Sequence, residues 1–185
     1  MSRQPRASAV APIALPSLAL VSLLGLSACG SSSTPSAAPA TTAAPAALEE
    51  YRCDRAGGPV TTQAGGTLVQ ATVGEYAIGL DRDAAPAGPV TFAVTNKGAA
   101  EHEVVILHRD GLDGLPRDQH GEVDEQAIPA DAAVGEIEAI GVGASCALTF
   151  TLTPGRYTLF CNITEVDHGN LNHAAKGMVT SFTVT

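Results

Sequence analysis

Short runs of β-branched and aromatic residues, each closed by Pro, Gly or a charged turn, fill the chain from residue 66 to its end. They constrain the fold more than any other feature. "GTLVQATVGEYAIGLD" and "GPVTFAVTN" are separated by the turn-forming "RDAAPA", and "HEVVIL" follows the turn "NKGAAE". "GEIEAIG", "ALTFTLT", "GRYTLFC" and "MVTSFTVT" complete the set. Val90, Phe92 and Val94 alternate with Thr91, Ala93 and Thr95, the period of a half-buried strand. Leu148, Phe150 and Leu152 share one side of their run, as do Phe182 and Val184. About seven or eight such strands predict an all-β, antiparallel β-sandwich. The stretch from Arg109 to Val134 breaks the pattern: it is acidic, lacks alternation, and offers at most a helical turn at "EVDEQAI". Excursions of this length are functional or mobile. His108 and His120, on or near it, are expected to be exposed.

The N-terminus does not belong to that fold. "MSRQPR" is basic and precedes the apolar run "ASAVAPIALPSLALVSLLGLSAC", the layout of a secretory signal. Pro12 and Pro16 interrupt the run and disfavour a spanning helix. Its end, Leu26-Ser27-Ala28-Cys29, resembles the lipobox of bacterial lipoproteins. The resemblance implies cleavage after residue 28 and lipidation of Cys29, which would anchor the chain to the outer side of the bacterial cell membrane. Gly30 to Ala47 contains only Gly, Ser, Thr, Pro and Ala, so it has nothing large to bury. As a flexible tether it would span about 23 Å. The expected organisation is therefore a signal at 1–28, a lipidated cysteine and linker at 29–47, and one folded domain at 48–185.

Once Arg3 and Arg6 leave with the signal, the 10 basic residues become 8 against 19 acidic ones, a formal charge of −11. Such a surface excludes nucleic acid and a direct grip on anionic lipid, and suits a partner with a basic docking face. The domain reads as a monomer. With Cys29 lipidated, three cysteines remain in an oxidising compartment. Cys161 has histidines and a methionine close by, whereas Cys53 and Cys146 have no such company and are the natural disulfide pair.

"FCNITEVDHGNLNHAAKGM", residues 160–178, concentrates Cys161, His168, His173 and Met178 at the end of one expected strand and the start of the next. His102 opens another strand. Here the chain resembles a cupredoxin, a blue copper protein. The resemblance is carried by "VTFAVTNKGAAEHEVVIL" and "GRYTLFCN…HAAKGMVTSFTVT", and it extends from about Gly66 to Thr185. It implies a Greek-key sandwich with one type 1 copper ion held by His102, Cys161, His173 and Met178. A thiolate, two imidazoles and a weak axial thioether suit copper in both oxidation states, so little rearrangement accompanies transfer of one electron. His168 stands as the alternative to His173. The His-x4-Met spacing of His173 and Met178 is the family's arrangement, which leaves "ITEVDHGNLN" as an insertion in the ligand loop. Within it, Glu165, Asp167 and His168 offer either a second cation site or a docking surface.

The resemblance implies single-electron transfer, with the solvent-facing edge of His173 as the exit. Copper storage or delivery is the alternative, since the same soft donors hold Cu(I). A third reading is the electron-donor module of a copper enzyme. Relatives that feed a second copper centre carry a histidine directly before the cysteine; this chain has Phe160 there, so the chain is not expected to be an enzyme.

Overall fold

The computed structural model describes Leu48, residues 50–52 and residues 65–185. The expected signal, the lipidation site Cys29, the tether and Cys53 lie outside the described residues.

Among the described residues twelve strands follow one another: β1 (Glu50–Arg52), β2 (Thr67–Gly74), β3 (Ala77–Leu80), β4 (Ala84–Ala85), β5 (Gly88–Asn96) and β6 (His102–Leu107), then β7 (Ala133–Ile140), β8 (Ser145–Leu152), β9 (Gly155–Phe160), β10 (Thr164–Glu165), β11 (Leu171–Asn172) and β12 (Val179–Val184). One sheet has the order β1-β7-β6-β9-β12-β4, a second β3-β2-β5-β8, and β10 pairs with β11 alone. The sandwich agrees with the alternation in the sequence. The sheets are mixed rather than purely antiparallel: β1 runs parallel to β7, β2 to β5, and β4 to β12. Alternation fixes which face a side chain takes. It says nothing about the direction of the neighbouring strand.

The two sheets close on a common core. Val69, Val90, Phe92, Val104, Ile106, Ile137, Tyr157, Leu159 and Phe182 belong to one buried cluster, in which the Phe92 and Phe182 rings meet edge to face at 5.4 Å. Thr91 and Ala93 on the other face of β5 are also buried, and the Thr91 hydroxyl is satisfied by that of Thr149 at 2.7 Å. The expected half-buried strand is therefore buried on both faces.

The 109–134 excursion is an ordered cover. Its Leu115, Val123, Ile128 and Ala132 pack with Val105, Leu107 and Phe160 in a second apolar cluster. This explains "HEVVIL": Val104 and Ile106 enter one cluster, Val105 and Leu107 the other, so the strand reads as an unbroken apolar run. The helical turn expected at "EVDEQAI" forms as a 3-10 turn over Glu125–Ala127. His108 is half-buried rather than exposed, because its ring stacks on Tyr157 at 4.5 Å. His120 is exposed as expected.

Candidate metal centre

The site lies at the end of the sandwich where β6 and β12 begin and β5, β7 and β9 stop. His102, the first residue of β6, is fully buried. Asn96, the last residue of β5, sets the turn before it. Its Nδ2 donates to the carbonyls of Ala100 (2.7 Å) and Ile140 (2.8 Å), and its Oδ1 accepts the Gly98 N–H (2.8 Å). Ile140 is the register partner of His102, so one amide ties the incoming loop to the strand beside the ligand. Gly98 leaves room that a side chain would take: a Cβ there would lie 2.9 Å from His102 Nε2 and 2.6 Å from Glu75 Oε1, so one of these groups would have to shift.

Backbone bonds chain the remaining candidates together. The Cys161 N–H donates to the Met178 carbonyl (3.1 Å), the Met178 N–H to the His173 carbonyl (3.0 Å), and the His173 N–H to the Ile163 carbonyl (2.9 Å). Cys161, His173 and Met178 are all fully buried. Between them the 162–172 insertion folds back as a hairpin, β10 pairing antiparallel with β11. Gly169 and Asn170 turn it with φ of 85° and 59°. Asn172 holds its base through bonds from Nδ2 to the Asn162 carbonyl (2.8 Å) and Thr164 Oγ1 (3.2 Å).

Three donor atoms converge. His102 Nδ1 and His173 Nδ1 are 3.2 Å apart, Cys161 Sγ is 3.3 Å from His173 Nδ1, and 4.0 Å from His102 Nδ1. Among the described residues this is the group of His, Cys and carboxylate side chains compact enough to hold a metal ion. The point equidistant from the three atoms lies about 2.1 Å from each, inside their triangle. That distance matches metal–nitrogen bonds of about 2.0–2.1 Å and falls slightly short of a metal–sulfur bond of about 2.3 Å. Two imidazoles and one thiolate in a trigonal set are the donors that copper prefers in its electron-transfer sites. Met178 is fully buried beside them, its backbone bonded to both Cys161 and His173.

Electrostatics agree with that chemistry. Burial, and then the nearby His173, hold His102 below the usual imidazole range, which favours the neutral ring a metal needs. Burial, and then the Glu103 charge, push the Cys161 thiol up to about 12. The thiol therefore keeps its proton until a metal displaces it. Carboxyls cluster on the outer side of the same sheet: burial raises Glu103 to about 7 and Glu136 to about 9. Asn162, next to Cys161, reaches the carboxyl cluster by donating its N–H to Glu103 Oε1 at 2.7 Å and its Nδ2 to Glu125 Oε1 at 2.8 Å.

His168 stands apart from the donor triangle. Its side chain is 74% exposed, and its Nδ1 meets Glu165 Oε2 at 3.0 Å. One expectation is overturned. His173 has no solvent-facing edge, because the insertion hairpin covers it and Glu165 Oε1 takes its Nε2 at 3.1 Å. Tyr76 packs edge-on against the same ring at 5.6 Å. Cys146 sits half-buried in β8, opposite Val94. Asn96, Glu75 and Tyr76 were not legible as site residues; only "TNKG", an asparagine one residue before Lys-Gly at a strand end, signals a shaped turn.

No protein-family model and no curated protein matches the chain. Solved structures do. A dithionite-reduced auracyanin from Roseiflexus castenholzii is 26% identical, with 64% of this chain and 97% of that one covered at a TM-score of 0.45. Auracyanin A, described as a "blue" copper protein from Chloroflexus aurantiacus, is 19% identical over 65% of this chain and all of its own length, at 0.43. Rusticyanin from Thiobacillus ferrooxidans is 17% identical over 65% and 77%, also at 0.43. At such low TM-scores the functional reading rests on the donor geometry of the chain itself. The chain thus combines a sandwich of two sheets with a buried donor set of one cysteine and two histidines, the kind of set that suits copper.

Proposed function

We propose that the chain is a type 1 copper protein that carries single electrons between redox partners outside the cytoplasm, tethered to the membrane through a lipid on Cys29. The observation that carries this reading is the triangle of His102 Nδ1, Cys161 Sγ and His173 Nδ1, with edges of 3.2, 3.3 and 4.0 Å. Copper bound there would supply a one-electron couple, with no bond made or broken in the protein. His102, Cys161 and His173 would hold the ion, with the Met178 thioether as a fourth donor. His102 opens β6 and Cys161 directly follows the buried end of β9, a frame that would not have to move between oxidation states.

Burial also favours transfer over delivery. Each of the four candidate ligands is fully buried, so release to an acceptor protein would require the loop to open. Phe160, in the position that would link to a second copper centre, is committed to the outer apolar cluster. The acidic surface supports a partner with a basic docking face, whose association salt would slow over a Debye length of about 8 Å. The chain acts as a monomer. A bridge between Cys53 and Cys146 is supported by the commitment of Cys161, free and buried, to the donor cluster.

Voltammetry of the copper-loaded protein tests the reading. A reversible one-electron wave, with copper retained through repeated cycles, is expected. Loss of the ion on reduction, with transfer to a Cu(I)-binding acceptor, would establish delivery instead.

A further inference from the structure

The insertion hairpin brings one carboxylate to the back of a ligand ring. Glu165 Oε1 lies 3.1 Å from His173 Nε2, on the side of the imidazole opposite the donor triangle. The second oxygen, Oε2, meets His168 Nδ1 at 3.0 Å, so the carboxylate is gripped at both ends. Glu165 itself is only 18% exposed, and the His173 ring is fully covered. The other ligand ring has no equivalent. His102 Nε2 has no hydrogen-bond partner, and its nearest carboxylate oxygen, Glu75 Oε1, stands 3.9 Å away. Glu75 is instead occupied by the N–H groups of Ala99 and Ala100.

We propose that Glu165 is a positioning residue for His173, and that the 162–172 hairpin exists to deliver it. This inference rests on the copper reading above. A carboxylate oxygen only accepts, so the proton of the bond sits on His173 Nε2. That assignment leaves Nδ1 with its lone pair facing Cys161 and His102, the tautomer a metal requires. The negative charge also makes the ring a stronger donor, which stabilises the doubly charged cupric state more than the cuprous one. The hairpin geometry serves this contact. The β10–β11 ladder, the two left-handed residues at its tip and the Asn172 bonds at its base set the position of Glu165 relative to the ring. The insertion is then the outer wall of the centre, covering the imidazole edge that would otherwise face solvent.

Two variants separate charge from hydrogen bond: Glu165→Gln keeps an acceptor oxygen without the charge, and Glu165→Ala removes both. Copper-free protein is titrated against competitors of known affinity for Cu(II) and for Cu(I), and the potential of the loaded protein is measured. For Glu165→Ala the Cu(II) affinity should fall about 10- to 100-fold, with a smaller loss for Cu(I). The potential should rise by about 59 mV for each tenfold difference between the two losses. Glu165→Gln should fall between parent and Ala. Nitrogen NMR of His173 in the copper-free protein gives a readout without metal: one tautomer, protonated on Nε2, in the parent, and a mixture in Glu165→Ala. A potential and both affinities within twofold of the parent in Glu165→Ala, or an unchanged tautomer, would overturn the role. A parent that binds no copper would refute the copper reading, while the tautomer measurement would still decide whether Glu165 orients the ring.

Discussion

Replacing Asn96 by alanine should be among the most damaging single changes to the described fold. The amide is 1% exposed and makes three hydrogen bonds, to the Ala100 and Ile140 carbonyls and from the Gly98 N–H. Alanine removes all three partners at once. Ile140 is fully buried, so its carbonyl is left unsatisfied at a cost of about 1–3 kcal/mol. Ala100 and Gly98 are half-buried and can recover water, so each loses only about 0.5–1 kcal/mol. The total is about 2–5 kcal/mol. With a urea slope of roughly 1.5 kcal/mol per molar, the unfolding midpoint of the copper-free protein should drop by about 1–3 M. Asn96→Asp keeps the acceptor for Gly98, loses both donors and buries a charge, so it should be at least as unstable. Since Ala100 lies two residues before His102 and Ile140 is its strand partner, the same variants should weaken copper binding. A midpoint within about 0.5 M of the parent, at unchanged slope, would refute the reasoning, because it would mean that these bonds are replaced without loss.

Two further outcomes follow from the neighbourhood of the centre. Gly98→Ala brings a methyl to 2.9 Å from His102 Nε2 and 2.6 Å from Glu75 Oε1; Cu(II) affinity by competition should fall about tenfold, and parent-like affinity would show that the ring has room to move. Burial raises the Glu136 carboxyl to about 9, so the folded state holds a proton that the unfolded chain has already released above its ordinary value of 4.5. Folded protein binds more protons over that interval, so stability should fall as pH rises from about 5 to about 9. Urea midpoints should show this slope in the parent and a flatter one in Glu136→Gln; equal slopes would assign the effect elsewhere.

The strands were legible because their signal is local. "HEVVIL" and "GPVTFAVTN" coincide with β6 and β5 to the residue, since turns and β-branched runs mark strand ends directly. The turn at Glu75–Tyr76 was not: "GTLVQATVGEYAIGLD" reads as one run, yet Tyr76 adopts a φ of 62°, a conformation that an aromatic side chain does not advertise. Ligand candidates could be ordered only through the resemblance to cupredoxins, which matches His102, Cys161 and Met178 at strand ends and favours His173 over His168 by its interval to Met178. The burial of His173 could not. It depends on a hairpin that brings Glu165 against a ring eight residues further along the chain, and period and composition carry no trace of such a contact. The same holds for the 109–134 excursion, whose scattered Leu115, Val123 and Ile128 become a cluster only once the sheet is present beneath them.

The central claim is a thiolate and two imidazoles on one copper ion, and the visible and electron paramagnetic resonance spectra of the purified protein after addition of Cu(II) test it most directly. An intense charge-transfer band with a small copper hyperfine splitting is predicted, lost in Cys161→Ala and His173→Ala and retained in His168→Ala. A pale solution with ordinary tetragonal Cu(II) spectra, or a band abolished by His168→Ala alone, would contradict it.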